Sequence, residues 1–238
     1  MDFDRLRRNW ENLGKKDPMW AILTQPGTEG GRWDEPAFFA TGVDFIVWLG
    51  SWLGLYGIDI TKGDALDFGC GIGRLTQALA PHFVTVTGVD ISQPMVDLAR
   101  QKNRHGDQVR YVCNQRKDLS VFADGSFDFV LTAIVLQHMR PEYSLRYLSE
   151  FLRLLRPGGL VFFQMATKEL EAGAGVVTAV ETPGEALMEI HCAPIEAIRA
   201  TVTAGGGDIV REETNGWAGP KWQSYYFAVR KTAPATNR

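Results

Sequence analysis

Three glycines alternate through Leu66-Asp67-Phe68-Gly69-Cys70-Gly71-Ile72-Gly73-Arg74, with an acid before them and a base after. Glycine lets a backbone turn sharply and approach a ligand closely. A helix that starts just after such a loop presents unpaired N–H groups. Farther on, Gly88-Val89-Asp90-Ile91-Ser92 ends a run of β-branched residues with another acid. A carboxylate at the end of such a strand can accept both hydroxyl protons of a ribose. Loop and acid together describe a nucleotide-type site. Dinucleotide folds use GxGxxG here, which would require glycine where Arg74 stands. Asp67, two residues before the first glycine, would repel a pyrophosphate. The same carboxylate suits a ligand that carries an ammonium group.

Two histidines are candidate proton acceptors. His138 lies in Leu136-Gln137-His138-Met139, just after an apolar stretch. Histidine is unprotonated but still basic near neutrality. The bland alternative for His138 is a helix cap or a backbone tie. His191, in Met188-Glu189-Ile190-His191-Cys192, is the second candidate. Gln164 stands in an apolar run, where a buried amide must be hydrogen-bonded. It faces a ligand or ties two strand ends together. No metal is expected: the histidines lack HxxxH spacing and Cys70, Cys113 and Cys192 are isolated.

These residues must be held by an alternating series of strands and helices. Residues 65–68, 84–89, 109–113, 127–133 and 160–165 read as strands. Helices are expected at 72–80, at 93–102 with Ser92 as N-cap, and at 141–155, halting at Arg156-Pro157-Gly158-Gly159. This rhythm means a parallel sheet covered on both faces. Residues 194–204 read as a helix ending in Gly205-Gly206-Gly207, and 208–213 and 224–230 as an antiparallel pair. Upstream, Phe3, Leu6, Trp10 and Leu13 form one helical stripe over residues 2–13, punctuated by Gly14 and Pro18. A second helix runs from Pro36 towards Leu55; being apolar almost all round, it is expected to be covered on most sides. Trp48 and Trp52 within it suit a core. Trp20, Trp33, Trp217 and Trp222 read as loop aromatics, more suited to a lid than to a pocket.

The chain has 238 residues, 45% hydrophobic and 22% charged, enough for one large α/β domain. A net charge of −3 gives no footprint for nucleic acid. Odd, scattered cysteines point to reduced thiols and a cytoplasmic protein. Met1 to Arg5 lacks the apolar stretch of a secretory signal, and the apolar run 45–58 is too short to span a bilayer comfortably. No membrane partner is therefore expected.

With these pieces in order, the sequence resembles the class I S-adenosylmethionine-dependent methyltransferases of the small-molecule, Rossmann-like type. The matching segments are LDFGCGIG at 66–73, GVDIS at 88–92, DGSFDFV at 124–130, LQHM at 136–139 and LRPGGLVFF at 155–163. The resemblance implies a seven-stranded, doubly wound, mostly parallel sheet of order 3-2-1-4-5-7-6, the seventh strand antiparallel. It implies S-adenosylmethionine as cofactor, S-adenosylhomocysteine as product and a small-molecule acceptor. Gly69, Cys70 and Gly71 would lie against the methionine portion. Asp67 would serve its amino group and Arg74 its carboxylate. Asp90 would hold the ribose, with Ile91 and Met95 near the adenine. The adenine edge would be met within residues 113–119, where Asn114 and Asp118 are both candidates and Leu119 ends the stretch. Residues 1–35 are expected to form a helical lid, 36–231 the methyltransferase domain and 232–238 a disordered tail. Oxygen is favoured over nitrogen or carbon as acceptor atom. A scaffold without turnover and a nucleic-acid methyltransferase are the alternatives.

Overall fold

The computed structural model describes residues 2–171, 176–177 and 188–233. The chain forms two compact units, Asp4–Arg116 and Lys117–Arg238, the second joined by Met1–Phe3.

The first unit opens with helices α1 (Phe3–Lys16), α2 (Pro18–Ile22) and α3 (Glu35–Leu55). Strand β1 (Asp64–Phe68), helix α4 (Arg74–Leu79), strand β2 (Thr85–Asp90), helix α5 (Gln93–Gln101) and strand β3 (Val109–Cys113) follow. The three strands pair in parallel, in the order β3-β2-β1. Helix α4 is shorter than expected, because Ile72 and Gly73 belong to the loop and residues 80–82 tighten into a 3₁₀ turn. Ser92 caps α5 as expected, its hydroxyl accepting from Met95 N at 3.5 Å.

Two expectations about the upstream helices need correction. Gly14 does not end α1, which runs on to Lys16. A Cβ at Gly14 would come within 3.0 Å of Met95 Cγ and Ser92 Oγ, so glycine there allows close packing on the start of α5. Helix α3 is not covered on most sides. Phe38, Phe45, Leu49, Trp52 and Leu53 are buried, but Val43, Val47 and Leu55 are 54%, 61% and 76% exposed. One face packs on α4 and the opposite face meets solvent. Composition alone could not separate the two faces. By length and apolarity α3 could cross a membrane, and the run 45–58 forms its second half.

The second unit holds β4 (Phe127–Thr132), α6 (Pro141–Leu154), β5 (Leu155–Glu169), the short pair β6 (Val176–Val177) and β7 (Met188–Glu189), α7 (Ile195–Ala204), β8 (Gly207–Asn215) and β9 (Trp222–Lys231). Strand β4 is buried along its whole length, as a central strand must be. It pairs in parallel with β5, and β9 runs antiparallel to both β5 and β8. Phe162, Phe163 and Phe227 are wholly buried, and the last two stack at 4.8 Å. The Arg156-Pro157-Gly158-Gly159 stretch does not precede β5 but forms a bulge inside it, since Phe127 pairs with Leu155 and Phe129 with Leu160. The Arg156 guanidinium holds this bulge through Asp128 at 2.5 Å.

The main sheet has seven strands in the order β3-β2-β1-β4-β5-β9-β8. Counting only its own strands, that is 3-2-1-4-5-7-6, the expected α/β order with its antiparallel seventh strand. Lys231 ends β9, and in the expected tail the Thr232 hydroxyl donates to Gly206 O at 2.8 Å. Residues 234–238 lie outside the described residues.

Candidate cofactor site and proton-accepting cluster

The glycine loop hangs from the end of β2. Gly69 N and Cys70 N both donate to Val89 O, at 2.8 and 3.1 Å. Asp90 then ties loop to helix. One carboxylate oxygen accepts from Gly71 N at 2.9 Å and the other from Ser92 N at 2.8 Å. These bonds oppose the burial that pushes the Asp90 pKa up. They also fix the carboxylate plane while leaving each oxygen a further lone pair. Gly73 has φ of +88° at the cap of α4, and a Cβ there would collide with the Tyr111 hydroxyl. Ile22 of α2 reaches the same loop, its Cδ1 lying 2.5 Å from where a Cβ of Gly71 would sit.

Behind the loop, Asp67 is buried at the end of β1. It accepts from the Thr76 hydroxyl at 2.6 Å, one turn into α4. Burial raises its pKa to about 6, against the lowering pull of Thr76 and Arg74. Arg74 is also buried, which lowers its pKa to about 10. Its Nη1 donates to Thr41 Oγ1 at 3.3 Å, while its Nε is buried without a partner. A buried acid held above its usual range and a buried guanidinium N–H without an acceptor are what an amino-acid zwitterion would complete.

Asn114 N donates to Asp90 O at 2.9 Å, so Asn114 stands beside that acid. Ile91 adjoins it in sequence, and Met95 is buried on α5. These nine residues, Asp67 to Asn114, all belong to the first unit. Asp118 and Leu119 belong to the second. There Asp118 accepts from Ser120 N at 3.1 Å, and Leu119 N donates to Glu150 at 2.8 Å.

A second polar cluster lies in the second unit, after β4 and β5. Ile134 has φ of +61°, a conformation a β-branched residue adopts only under constraint. Its N–H donates to Gln164 Oε1 at 3.3 Å, and Gln164 Nε2 donates to Gln137 Oε1 at 3.0 Å. Gln164 therefore ties the interior of β5, which runs on to Glu169, to the loop after β4 rather than joining two strand ends. Gln137 Nε2 faces His138 Nε2 at 3.5 Å, and His138 Nδ1 donates to Glu189 O at 2.9 Å. Burial lowers the His138 pKa to about 4. His191 Nε2 bonds the Glu189 carboxylate at 3.0 Å, and His191 N donates to Gln137 O at 2.7 Å. Two tryptophans are placed differently from expectation: Trp20 is buried on α2 and Trp222 on β9, whereas Trp33 and Trp217 are in loops.

Residues 66–163 match the family described as methyltransferase domain. A ubiquinone biosynthesis O-methyltransferase of Coxiella burnetii is 32% identical over 119 residues, 49% of each chain. One from Idiomarina loihiensis is 30% identical over 151 residues, 60% of this chain and 61% of its own. The chain thus spans about half the length of the curated relatives it matches first. Magnesium protoporphyrin IX methyltransferase from Synechocystis, solved with S-adenosylhomocysteine, superposes with a TM-score of 0.65 at 21% identity, over 97% of this chain and all of that one. Residues 66–163 are thus a methyltransferase domain, and the chain has the Rossmann-like α/β fold of S-adenosylmethionine-dependent methyltransferases.

In this methyltransferase domain the first-unit residues suit S-adenosylmethionine. Asp67 and Arg74 match its charged amino-acid end, and Asp90 its ribose. Thr76, Ile22 and Glu189 were not singled out from sequence. Thr76 had a signal, being a hydroxyl one turn after the loop and opposite Asp67. Ile22 had none, because its contact with Gly71 is made only in the folded chain.

The Asp67 carboxyl has a testable cost. Its folded pKa lies near 6 against an ordinary 3.8. The folded state therefore binds the extra proton, and stability falls as pH rises through that window. Asp67→Asn should stabilise the ligand-free protein at pH 7 by about 1–3 kcal/mol, with the gain vanishing near pH 4 where the parent acid is protonated. Thermal melts at the two pH values measure this. S-adenosylhomocysteine affinity should fall in the same variant.

Proposed function

We propose that this protein transfers a methyl group from S-adenosylmethionine to a hydroxyl of a small molecule in the cytoplasm. The carrying observation is the pairing of Asp67, Arg74 and Asp90 around one glycine loop, which matches the charges and hydroxyls of that cofactor. The O-methyltransferase relatives support oxygen as the acceptor atom. Three free cysteines agree with a reducing compartment.

When bound, the cofactor supplies a methyl group on a positively charged sulfur, already activated for displacement. The protein's work is to align the acceptor with it and to remove the hydroxyl proton. Asp90 and the loop amides hold the ribose and amino-acid portions. Asn114 is our choice for the adenine edge, because its backbone is fixed to Asp90; Asp118 is used locally by Ser120. His138 and His191 are the groups available for the proton, in loops after β4 and β7. Ligands of doubly wound sheets bind at the carboxyl ends of strands, which favours the position of His138; β7 belongs to the separate two-stranded sheet, and His191 is tied to the same loop through its N–H to Gln137 O.

Residues 1–35 are proposed to close over the cofactor. Ile22 lies on Gly71, and the Ser92 hydroxyl donates to Trp10 O at 3.1 Å. Both contacts fall on the loop and helix start that Asp90 joins.

S-adenosylhomocysteine should raise the melting temperature, because a ligand selective for the native state stabilises it by mass action, whereas NADH should not. Asp90→Ala should weaken S-adenosylhomocysteine binding by roughly tenfold to a hundredfold in calorimetry, the loss of charge-assisted bonds worth about 1.5–3 kcal/mol each. Stabilisation by NADH alone would sink the reading. Hydrogen exchange in α1 and α2 should slow when S-adenosylhomocysteine binds. Equal protection with and without it would refute closure.

A further inference from the structure

The geometry points to His191 as the base, with Glu189 as the residue that positions both histidines; this rests on the methyl-transfer reading above. His138 is the less suitable of the two because both its ring nitrogens are engaged. A carbonyl can only accept, so the bond to Glu189 O puts the proton on Nδ1. The lone pair on Nε2 then faces the amide of Gln137. That amide has a settled orientation, because Gln137 Oε1 accepts from Gln164, whose own oxygen accepts from Ile134 N. The chain Ile134–Gln164–Gln137–His138–Glu189 is thus a closed series of donors and acceptors.

His191 is arranged the other way. Its Nε2 meets a carboxylate, which also only accepts, so the proton lies on Nε2 and the lone pair on Nδ1. No bond engages Nδ1 among the described residues. The side chain is 23% exposed, against 12% for Glu189, so the imidazole is reachable while its carboxylate is sheltered. His191 N donates to Gln137 O and Ala193 N to Ala166 O. The segment therefore lies along the loop after β4 and the end of β5. The other titratable groups nearby are the chain's α-amino group, which with His191 favours the charged form of Glu189, His138, Cys192, whose thiol burial raises to about 11, and Glu169 beside it.

In the reaction, the acceptor O–H bond breaks towards His191 Nδ1 and the oxygen bonds the methyl carbon. The carbon–sulfur bond breaks and its electron pair stays on sulfur, leaving a neutral thioether. The positive charge that began on sulfur ends on the imidazolium, where the Glu189 carboxylate stabilises it.

The test uses the full chain labelled with ¹⁵N-histidine and saturated with S-adenosylhomocysteine. His191 should show the Nε2–H tautomer in the parent and a mixture in Glu189→Gln. His138 should show Nδ1–H in both. Turnover is then followed with catechol and 4-hydroxybenzoate. His191→Asn should lower kcat by roughly 10²–10⁴-fold, and more than His138→Asn does. Glu189→Gln should lower kcat by about tenfold without changing KM for S-adenosylmethionine. Glu189→Asp should recover part of the rate. An unaltered His191 tautomer in Glu189→Gln, or His191→Asn within a few-fold of parent while His138→Asn is inactive, would overturn the assignment. If the parent methylates neither phenol, the hydroxyl-directed methyl-transfer reading above fails, and the tautomer measurement still decides the role of Glu189.

Discussion

The first unit depends on one carboxylate. Asp90 sits at the end of β2 and spends both oxygens on backbone N–H groups, one in the glycine loop and one at the start of α5. Without those bonds the loop and the helix start would be independent segments. Buried charge is tolerated only when it is hydrogen-bonded, and here the acceptors of one side chain satisfy donors from two elements. The arrangement leaves lone pairs directed away from the protein backbone. In the proposed site, the structural joint and the ribose reader are therefore one group.

Asp67 shows the opposite economy. It has one hydroxyl partner and a buried, incompletely bonded guanidinium nearby, and its proton affinity is raised. A site optimised for stability alone would not leave it so. The imbalance is of the kind that a ligand with an ammonium and a carboxylate would correct, which is the ground for the role proposed for Asp67 and Arg74.

Much of this arrangement was legible from the order of residues. The strand ends carrying Asp67 and Asp90, the Ser92 cap and the antiparallel last pair all follow from local signals: glycine, acid, hydroxyl, alternation. What was not legible depended on contacts between distant segments. Gly14 looked like a helix terminator because glycine usually weakens helices; its neighbours Met95 and Ser92 give it a packing role instead. Pro157-Gly158-Gly159 looked like a boundary, but a strand can carry such residues through a bulge when its partner shifts register. The exposed face of α3 could not be read at all, because Val43 and Val47 are chemically the same kind of residue as those buried opposite.

The histidines show how far position along the chain can carry a chemical argument. His138 follows β4 and so occupies the expected place for a base. A base, however, needs an available lone pair, and that depends on which nitrogen carries the proton. Sequence spacing contains no such information; the identity of the acceptor does. Both acceptors here come from one residue, Glu189, through its carbonyl for His138 and its carboxylate for His191. The carbonyl locks a neutral ring into a buried network that burial keeps neutral. The carboxylate meets the opposite nitrogen, on a ring that solvent can reach. Two histidines of equal intrinsic chemistry are thereby given opposite tautomers by the two kinds of oxygen on the same residue, which is the ground for proposing one as a structural tie and the other as the proton acceptor.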